Sequence, residues 1–338
     1  MFKKFSFIIR LFIVFFTLPV SLLSQSSDDY LPNKPGKWFI DKGVDNWNAN
    51  NDEIAFEKNL TVAAEWFHKN IPLLANPTGF DLQTTFYGIW DDDYKKRECN
   101  YALRSTMDFA FQLFFNSTDK NAKRTLEPPH YEVSINNTES GHGSNFNEVG
   151  YIEQTDDPSI EAELEQARAE VNDFFLVFPL TKKIAAGVDL YGNGNLVIYN
   201  SDRPPFWIPV TVRDVIEKKI AYYKIKEGNN PLVYTYLKDF YDKMTPEELG
   251  SPAYKSGDAI VGVSSDTTEA LQIMRFNKDY WDRSLPKSAI QFISIIYRQS
   301  KEFDMEEHIK NNGYPDYGQV LINELPFNRL TELIARKK

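Results

Sequence analysis

The side chains best suited to acid–base or metal chemistry are the four histidines, of which His130 stands near a carboxylate. His130 and Glu132 are two residues apart at the start of a predicted strand, so both project from one face of that strand. Two ligands are too few for a metal site, and the spacing indicates no third one. We therefore expect no metal and no cofactor, and a surface ion pair is the alternative interpretation.

His142 lies in a glycine-flanked stretch, Gly141-His-Gly-Ser144. The glycines would let the ring approach a ligand closely, and Ser144 is near enough to suggest a nucleophile. Catalysis would also require an orienting third group and an oxyanion site, and the sequence indicates neither. We predict an exposed loop here and assign no catalytic residue.

Two more charged residues fall in a segment of alternating polarity. In 101–115 the even positions, which include Arg104 and Asp108, form the wetter face of a predicted strand. If that face lines a concavity, these two side chains are the best placed to orient a ligand. Trp90, at the edge of a neighbouring strand, could stack against a sugar. The predicted ligand-binding residues are Arg104, Asp108, His130, Glu132, His142 and Trp90.

Aromatic residues are the one excess in the composition, with 6 Trp, 18 Tyr and 25 Phe. They could form a stacking platform for sugars or a clamp for a peptide, or they could enlarge the core. Cys99 is the only cysteine, so the chain forms no intramolecular disulfide and its stability must come from burial. The core interpretation is therefore favoured.

The charge balance limits the possible partners. The formal net charge is −10 at pH 7, and the basic clusters are short. Nucleic-acid binders carry extended basic surfaces, so we expect no nucleic-acid partner. A small molecule, a glycan or a protein stays open as the ligand.

The N-terminus has the pattern of a secretory signal peptide. Residues 1–24 run from a cationic start through an apolar stretch to a small residue, and 25–50 form a polar arm. An uncleaved membrane anchor is the alternative, which Arg10 and Pro19 weaken. We expect a periplasmic or secreted mature chain without a membrane span. Glycosylation triplets, relevant only to a eukaryotic source, occur at Asn59, Asn116 and Asn136.

Periodicity predicts a helix followed by strands in each part of the chain. The first helix covers 52–69, where apolar residues recur at helical spacing. In the later part, Thr211 and Asp214 have the spacing of a capping box that begins a helix. The other predicted strands are 82–90, 131–135, 174–180, 184–191, 196–199, 259–264, 270–276 and 289–298. Of these, 82–90 should pair with the strand in 101–115, and 289–298, apolar on both faces, should be central in a sheet. The other predicted helices are 157–172, one from Asn230-Pro231, one capped at Thr245, 302–311 and 327–336, and the least structured interior segment is 136–148.

This order predicts an α+β protein with antiparallel curved sheets packed on helices. Its repetition suggests, by analogy of fold alone, two cystatin-like helix-plus-sheet halves, 51–172 and 173–338. One single domain over 30–338 is the alternative. For function, we expect an exported non-catalytic binding or interaction protein, with a secreted hydrolase acting on glycans or esters as the alternative.

Overall fold

The architecture is taken from a computed structural model, which describes eleven stretches of the chain. These are residues 30–41, 50–88, 101–116, 128–137, 160–164, 174–192, 194–228, 231–256, 259–262, 270–296 and 304–337. The predicted signal peptide, Trp90 and His142 lie outside them, as does most of the helix predicted over 157–172. In the described residues, no helix is long and apolar enough to cross a membrane.

Thirteen strands are present in the described residues. They are β1 (Trp38–Asp41), β2 (Phe80–Gly88), β3 (Ser105–Leu113), β4 (His130–Ile135), β5 (Phe174–Val177), β6 (Leu180–Ala185), β7 (Val188–Tyr191), β8 (Asn195–Tyr199), β9 (Trp207–Pro209), β10 (Ala253–Ser256), β11 (Ala259–Gly262), β12 (Leu271–Phe276) and β13 (Phe292–Ile296). The α-helices are α1 (Asn51–Asn70), α2 (Pro72–Ala75), α3 (Val212–Glu227), α4 (Leu232–Lys243), α5 (Pro246–Gly250), α6 (Met305–Asn312) and α7 (Tyr317–Asn323), and 3₁₀ helices cover Lys278–Tyr280 and Phe327–Leu333.

The strands form two sheets, which confirms a mixed α+β architecture. The larger sheet has the order β1-β2-β3-β4-β13-β8-β7-β6 and is antiparallel except where β1 pairs with β2. The smaller one has the path β11-β10-β12-β5, with β9 also paired to β12. Neither path closes within the described residues. Because β4 pairs with β13, the larger sheet takes strands from both sides of residue 172, and the division into halves stays a prediction.

Strand β3 is shorter than the alternating pattern in the sequence predicts. Alternation extends over 101–115, whereas β3 covers only Ser105–Leu113. Before this strand, the amide of Leu103 donates to the carbonyl of Lys287 at 2.8 Å instead of continuing the ladder. The predicted antiparallel pairing with β2 is present, from Phe80↔Leu113 to Gly88↔Ser105.

One face of the larger sheet packs on α1. The apolar stripe of this helix, including Phe56, Leu60 and Phe67, is buried, as the helical spacing predicts. The rings of Phe67 and Phe109 lie 5.6 Å apart edge to face. Since side chains alternate along a strand, the residues on either side of Phe109 in β3 face away from α1.

The opposite face of the larger sheet is aromatic at one end and polar at the other. Over β8 and β13 it is covered by aromatic residues, with Phe292 packed on Phe206 and Tyr280. Trp207 and Trp281 belong to this cluster and are buried, in line with the core interpretation of the aromatic excess. Over β2, β3 and β4 the same face is polar and open.

The N-terminus of α1 is held by a capping box. The side-chain oxygen of Asn50 accepts from the amides of Asp52 and Glu53 at 3.0 and 3.1 Å, and Glu53 accepts from the amide of Asn50. We expect Asn50→Ala to lower the free energy of unfolding by about 1 kcal/mol, because two helix amides lose their acceptor. Glu65→Ala, an exposed change on the same helix, should cost less than half as much in urea unfolding. Equal costs would contradict the assigned cap.

Asn136, at the end of β4, joins its own strand to two distant segments of the chain. Its side-chain amide donates to the carbonyls of Leu103 and Ala289, at 2.8 and 2.9 Å. Its side-chain oxygen accepts from the amides of Gln291 and Phe292 at 2.8 and 3.1 Å. This glycosylation triplet is therefore inaccessible in the folded chain, because the amide nitrogen is buried and bonded.

Candidate functional site

The candidate site is built on the open polar face of β2, β3 and β4. Strand register places Thr85, Asp108 and Glu132 side by side in one row across the three strands. The next row contains Ala110 opposite His130. Side chains in such rows are cross-strand neighbours, with Cβ atoms about 5 Å apart. The pairing thus brings together three of the six residues predicted from sequence.

A cavity of about 790 Å³ lies over this face. Its floor is formed by alternate residues of the three strands. Its wall comes from α6, from the turn between α6 and α7, and from the two prolines just before β4. That volume is in the range of small-molecule sites in proteins. The lining residues are Gln83, Thr85, Tyr87, Asp108, Ala110, Gln112, Pro128, Pro129, His130, His308, Tyr314, Pro315 and Asp316.

Asp108 is the chemically unusual group in this cavity. Its side chain is only 7% exposed, and its Oδ1 atom has no hydrogen-bond partner. Burial raises the pKa of this carboxyl group to about 6; nearby His130 lowers the pKa, and the Glu132 carboxylate raises it. A buried carboxylate oxygen without a donor is costly, so this position favours any ligand that supplies one.

The surroundings of Asp108 carry negative charge. Burial raises the pKa of the Tyr87 hydroxyl, and the carboxylates of Asp108, Glu132 and Asp41 raise it further. The Tyr87 ring is 53% exposed. It therefore offers an accessible aromatic surface beside a group of carboxylates.

His130 lies between two cavities. It lines the large cavity and also a smaller one of about 310 Å³. The smaller cavity is bordered as well by Glu132 on β4, by Asp316 at the N-cap of α7 and by Gln319 within α7. Both His130 and Glu132 are exposed. One carboxylate oxygen of Asp316 is engaged as the N-cap of α7, accepting from the amide of Gln319 at 2.9 Å.

Arg104 does not line the large cavity. It lies one residue before β3 begins, so it is not part of the strand that holds Asp108. Its side chain is 5% exposed, and Nη1 donates to Oδ1 of Asn137 at 3.5 Å. Arg104 is therefore a buried residue bonded to the chain just after β4, outside the residues that line this cavity.

Comparison with known proteins adds no assignment. No protein-family model, no curated protein and no solved structure matches this chain. The chemistry of the cavity is therefore the basis for assigning a function. In the described residues, no group of three or more His, Cys, Asp or Glu is arranged to hold a metal ion.

Sequence reasoning missed the wall of the site. His308, Tyr314 and Asp316 come from a region predicted only as a helical piece over 302–311, and α7 had no predicted counterpart. The segment Gly313–Asp316 has a glycine C-cap and an aspartate N-cap, which mark a turn between two helices. That signal locates the turn, but it does not indicate that the turn lies beside β4.

Proposed function

We propose that this chain is a binding protein that holds a small polar ligand in the cavity over β2, β3 and β4. The observation that carries the proposal is Asp108 on the cavity floor, whose Oδ1 atom is buried without a hydrogen-bond donor. A folded chain normally pairs its buried polar atoms. A ligand that donates a hydrogen bond to this carboxylate would explain why it is unpaired beside a cavity of this size.

The remaining floor supports a polar ligand. Gln83, Gln112 and Thr85 contribute amide and hydroxyl groups, and Tyr87 and Tyr314 contribute rings. Amides and carboxylates that orient a ligand, with aromatic rings beside them, suit hydroxyl-bearing molecules such as short glycans. The mixture is less suited to a purely apolar ligand.

The binding proposal is tested by filling the cavity. Ala110→Phe places a ring on the floor between Gln83 and His130, the neighbours of Ala110 on adjacent strands. In thermal unfolding against a library of oligosaccharides, amino acids and polyamines, we expect at least one compound to stabilise the natural chain. At 100 times its Kd a ligand adds about 2.7 kcal/mol. We expect Ala110→Phe to lose that stabilisation.

Ala221→Phe provides the matched control, because Ala221 is exposed on α3, outside the residues that line the cavity. It should respond to ligand like the natural chain, and circular dichroism should show both variants folded. Equal stabilisation of Ala110→Phe would place the ligand elsewhere. A library without any stabilising compound would count against the proposal.

A hydrolase acting on glycans or esters is the second candidate. It is favoured by one observation, the meeting of Asp108, Glu132 and His130 in adjacent rows of the sheet. A carboxyl group with a pKa of about 6 beside a second carboxylate is a pattern used for acid catalysis. Hydrolysis of aryl glycosides or aryl esters that is lost in Glu132→Gln would support this candidate, and its absence would leave binding alone.

The cellular setting belongs to the proposal as well. We propose that the chain is exported, on the sequence pattern of residues 1–24, and acts in the periplasm or outside the cell. Mass spectrometry of the mature chain from its source would test export, with an N-terminus near residue 25 expected and a retained Met1 contradicting it.

The division of the chain into two cystatin-like halves also stays a proposal, which rests on the order of the helices and strands.

A further inference from the structure

We infer that the ligand of the large cavity carries a protonated amine, which Asp108 binds on the cavity floor. This inference rests on the proposed binding function and names the chemical class of the ligand. It begins with the charges of the lining residues. Asp108 and Asp316 are acidic, and the described lining includes no Lys or Arg; its other titratable groups are His130, His308 and the hydroxyls of Tyr87 and Tyr314.

Carboxylates outside the lining add to the negative charge around the cavity. Glu132 lies directly opposite Asp108 across the β3–β4 pair. Asp41 is the cross-strand partner of Thr85, which in turn is the partner of Asp108. Electrostatic attraction between the cavity and a cation is therefore favoured from several strands at once, and an anionic ligand would be repelled.

The environment of Asp108 distinguishes an amine from a hydroxyl group. A neutral hydroxyl would donate one hydrogen bond to the carboxylate of Asp108, but it would leave a buried negative charge uncompensated. An ammonium group donates a charge-assisted hydrogen bond and also neutralises that charge. Because the Asp108 side chain is more than nine-tenths buried, charge compensation is worth more here than at the surface.

The rings that line the cavity fit the same ligand class. Tyr87 and Tyr314 both border it, and the Tyr87 ring is more than half exposed. Aromatic faces attract ammonium groups by cation–π interaction. A single aliphatic or sugar amine could thus contact a carboxylate on the floor and a ring at the wall.

The test compares amines with neutral probes of the same skeleton. Cadaverine and 1,5-pentanediol share a five-carbon chain, and chitotriose with free amines shares its sugar chain with its triacetylated form. In calorimetric titrations at pH 7.5 and 0.15 M salt, we expect the amine of at least one pair to bind at least tenfold more tightly than its neutral partner. Asp108→Asn should weaken that binding at least tenfold, whereas Lys238→Gln, an exposed change on α4, should leave it within twofold.

The outcomes separate this inference from the binding proposal. If neutral probes bind as tightly as the amines and Ala110→Phe abolishes their binding, the cavity binds ligands but the amine inference is overturned. If amines bind equally to Asp108→Asn, the attraction comes from the general acidity of the chain and the inference fails. If none of the four probes binds the natural chain at millimolar concentration, the inference fails too, and the wider library decides the binding proposal.

Discussion

Asn136→Ala is expected to lower the free energy of unfolding by about 5 kcal/mol, which equals the whole stability of a marginally stable domain. The substitution removes the side-chain partner of four backbone groups, on Leu103, Ala289, Gln291 and Phe292, and the last three of these bonds are buried. Each buried group without a partner costs about 1–3 kcal/mol. Asn136 also has φ +53, a left-handed conformation that asparagine tolerates better than alanine. Urea unfolding followed by circular dichroism measures the loss.

Two further variants separate the causes. Asn136→Gly permits the positive φ but removes the same hydrogen bonds, so we expect it to stay within about 1 kcal/mol of Asn136→Ala. Asn59→Ala removes a single side-chain bond, from Nδ2 to the carbonyl of Ser288 at 2.8 Å, and should cost about 1 kcal/mol. A loss below 2 kcal/mol in Asn136→Ala would mean that the four bonds do not hold these segments together.

Asp108→Asn is expected to stabilise the ligand-free chain at neutral pH. The folded pKa of about 6 lies above the ordinary 3.8, so the folded state binds more protons than the unfolded state between these values. Stability therefore falls as the pH rises from about 4 to 6, and the full penalty is present above 6. A shift of this size corresponds to roughly 3 kcal/mol. Asparagine has the same shape without the charge and should remove most of that penalty.

The comparison is made by urea unfolding at pH 4 and pH 7.5. Asp108→Asn should be nearly neutral at pH 4 and stabilising by up to about 3 kcal/mol at pH 7.5. Glu132→Gln, the exposed carboxylate directly opposite, should change the free energy of unfolding by less than 1 kcal/mol at both pH values. Destabilisation by Asp108→Asn at pH 7.5 would show that the carboxylate makes favourable contacts in the ligand-free chain.

Most helices and strands could be predicted from the spacing of apolar residues within one segment. The helix over 52–69 and the pairing of β2 with β3 follow from apolar spacing within single segments, and both are confirmed. The capping boxes at Thr211 and Thr245 are also confirmed, because a cap depends on residues three apart. The strand over 289–298 was expected to be central, and β13 pairs on both sides and is buried on both faces.

Contacts between distant segments could not be predicted in the same way. Asn136 was placed at the start of an unstructured loop, because its partners lie 33 to 156 residues away in the chain. The joining of β4 to β13 likewise depends on residues about 160 positions apart, and nothing in either segment specifies the other.

The candidate site also depends on contacts between distant segments, so the sequence predicted only part of it. Alternation along one strand was enough to put Asp108 on the wetter face of β3. The burial of its carboxylate depends on the cavity wall, and His308 and Asp316 in that wall lie about 200 residues further along the chain. A pattern of alternating residues defines a face, but the enclosure of that face is a property of the whole fold.

The most direct test of the central claim is the titration of Asp108 itself. Carboxyl-carbon NMR of the chain labelled at aspartate, with the resonance assigned by its absence in Asp108→Asn, gives the pKa in the ligand-free state. A buried carboxylate without a donor predicts a midpoint near 6, which moves down when cadaverine or chitotriose binds. A midpoint near 3.8 in the ligand-free chain would show that the carboxylate is already solvated or paired, and would remove the basis for a ligand at this position.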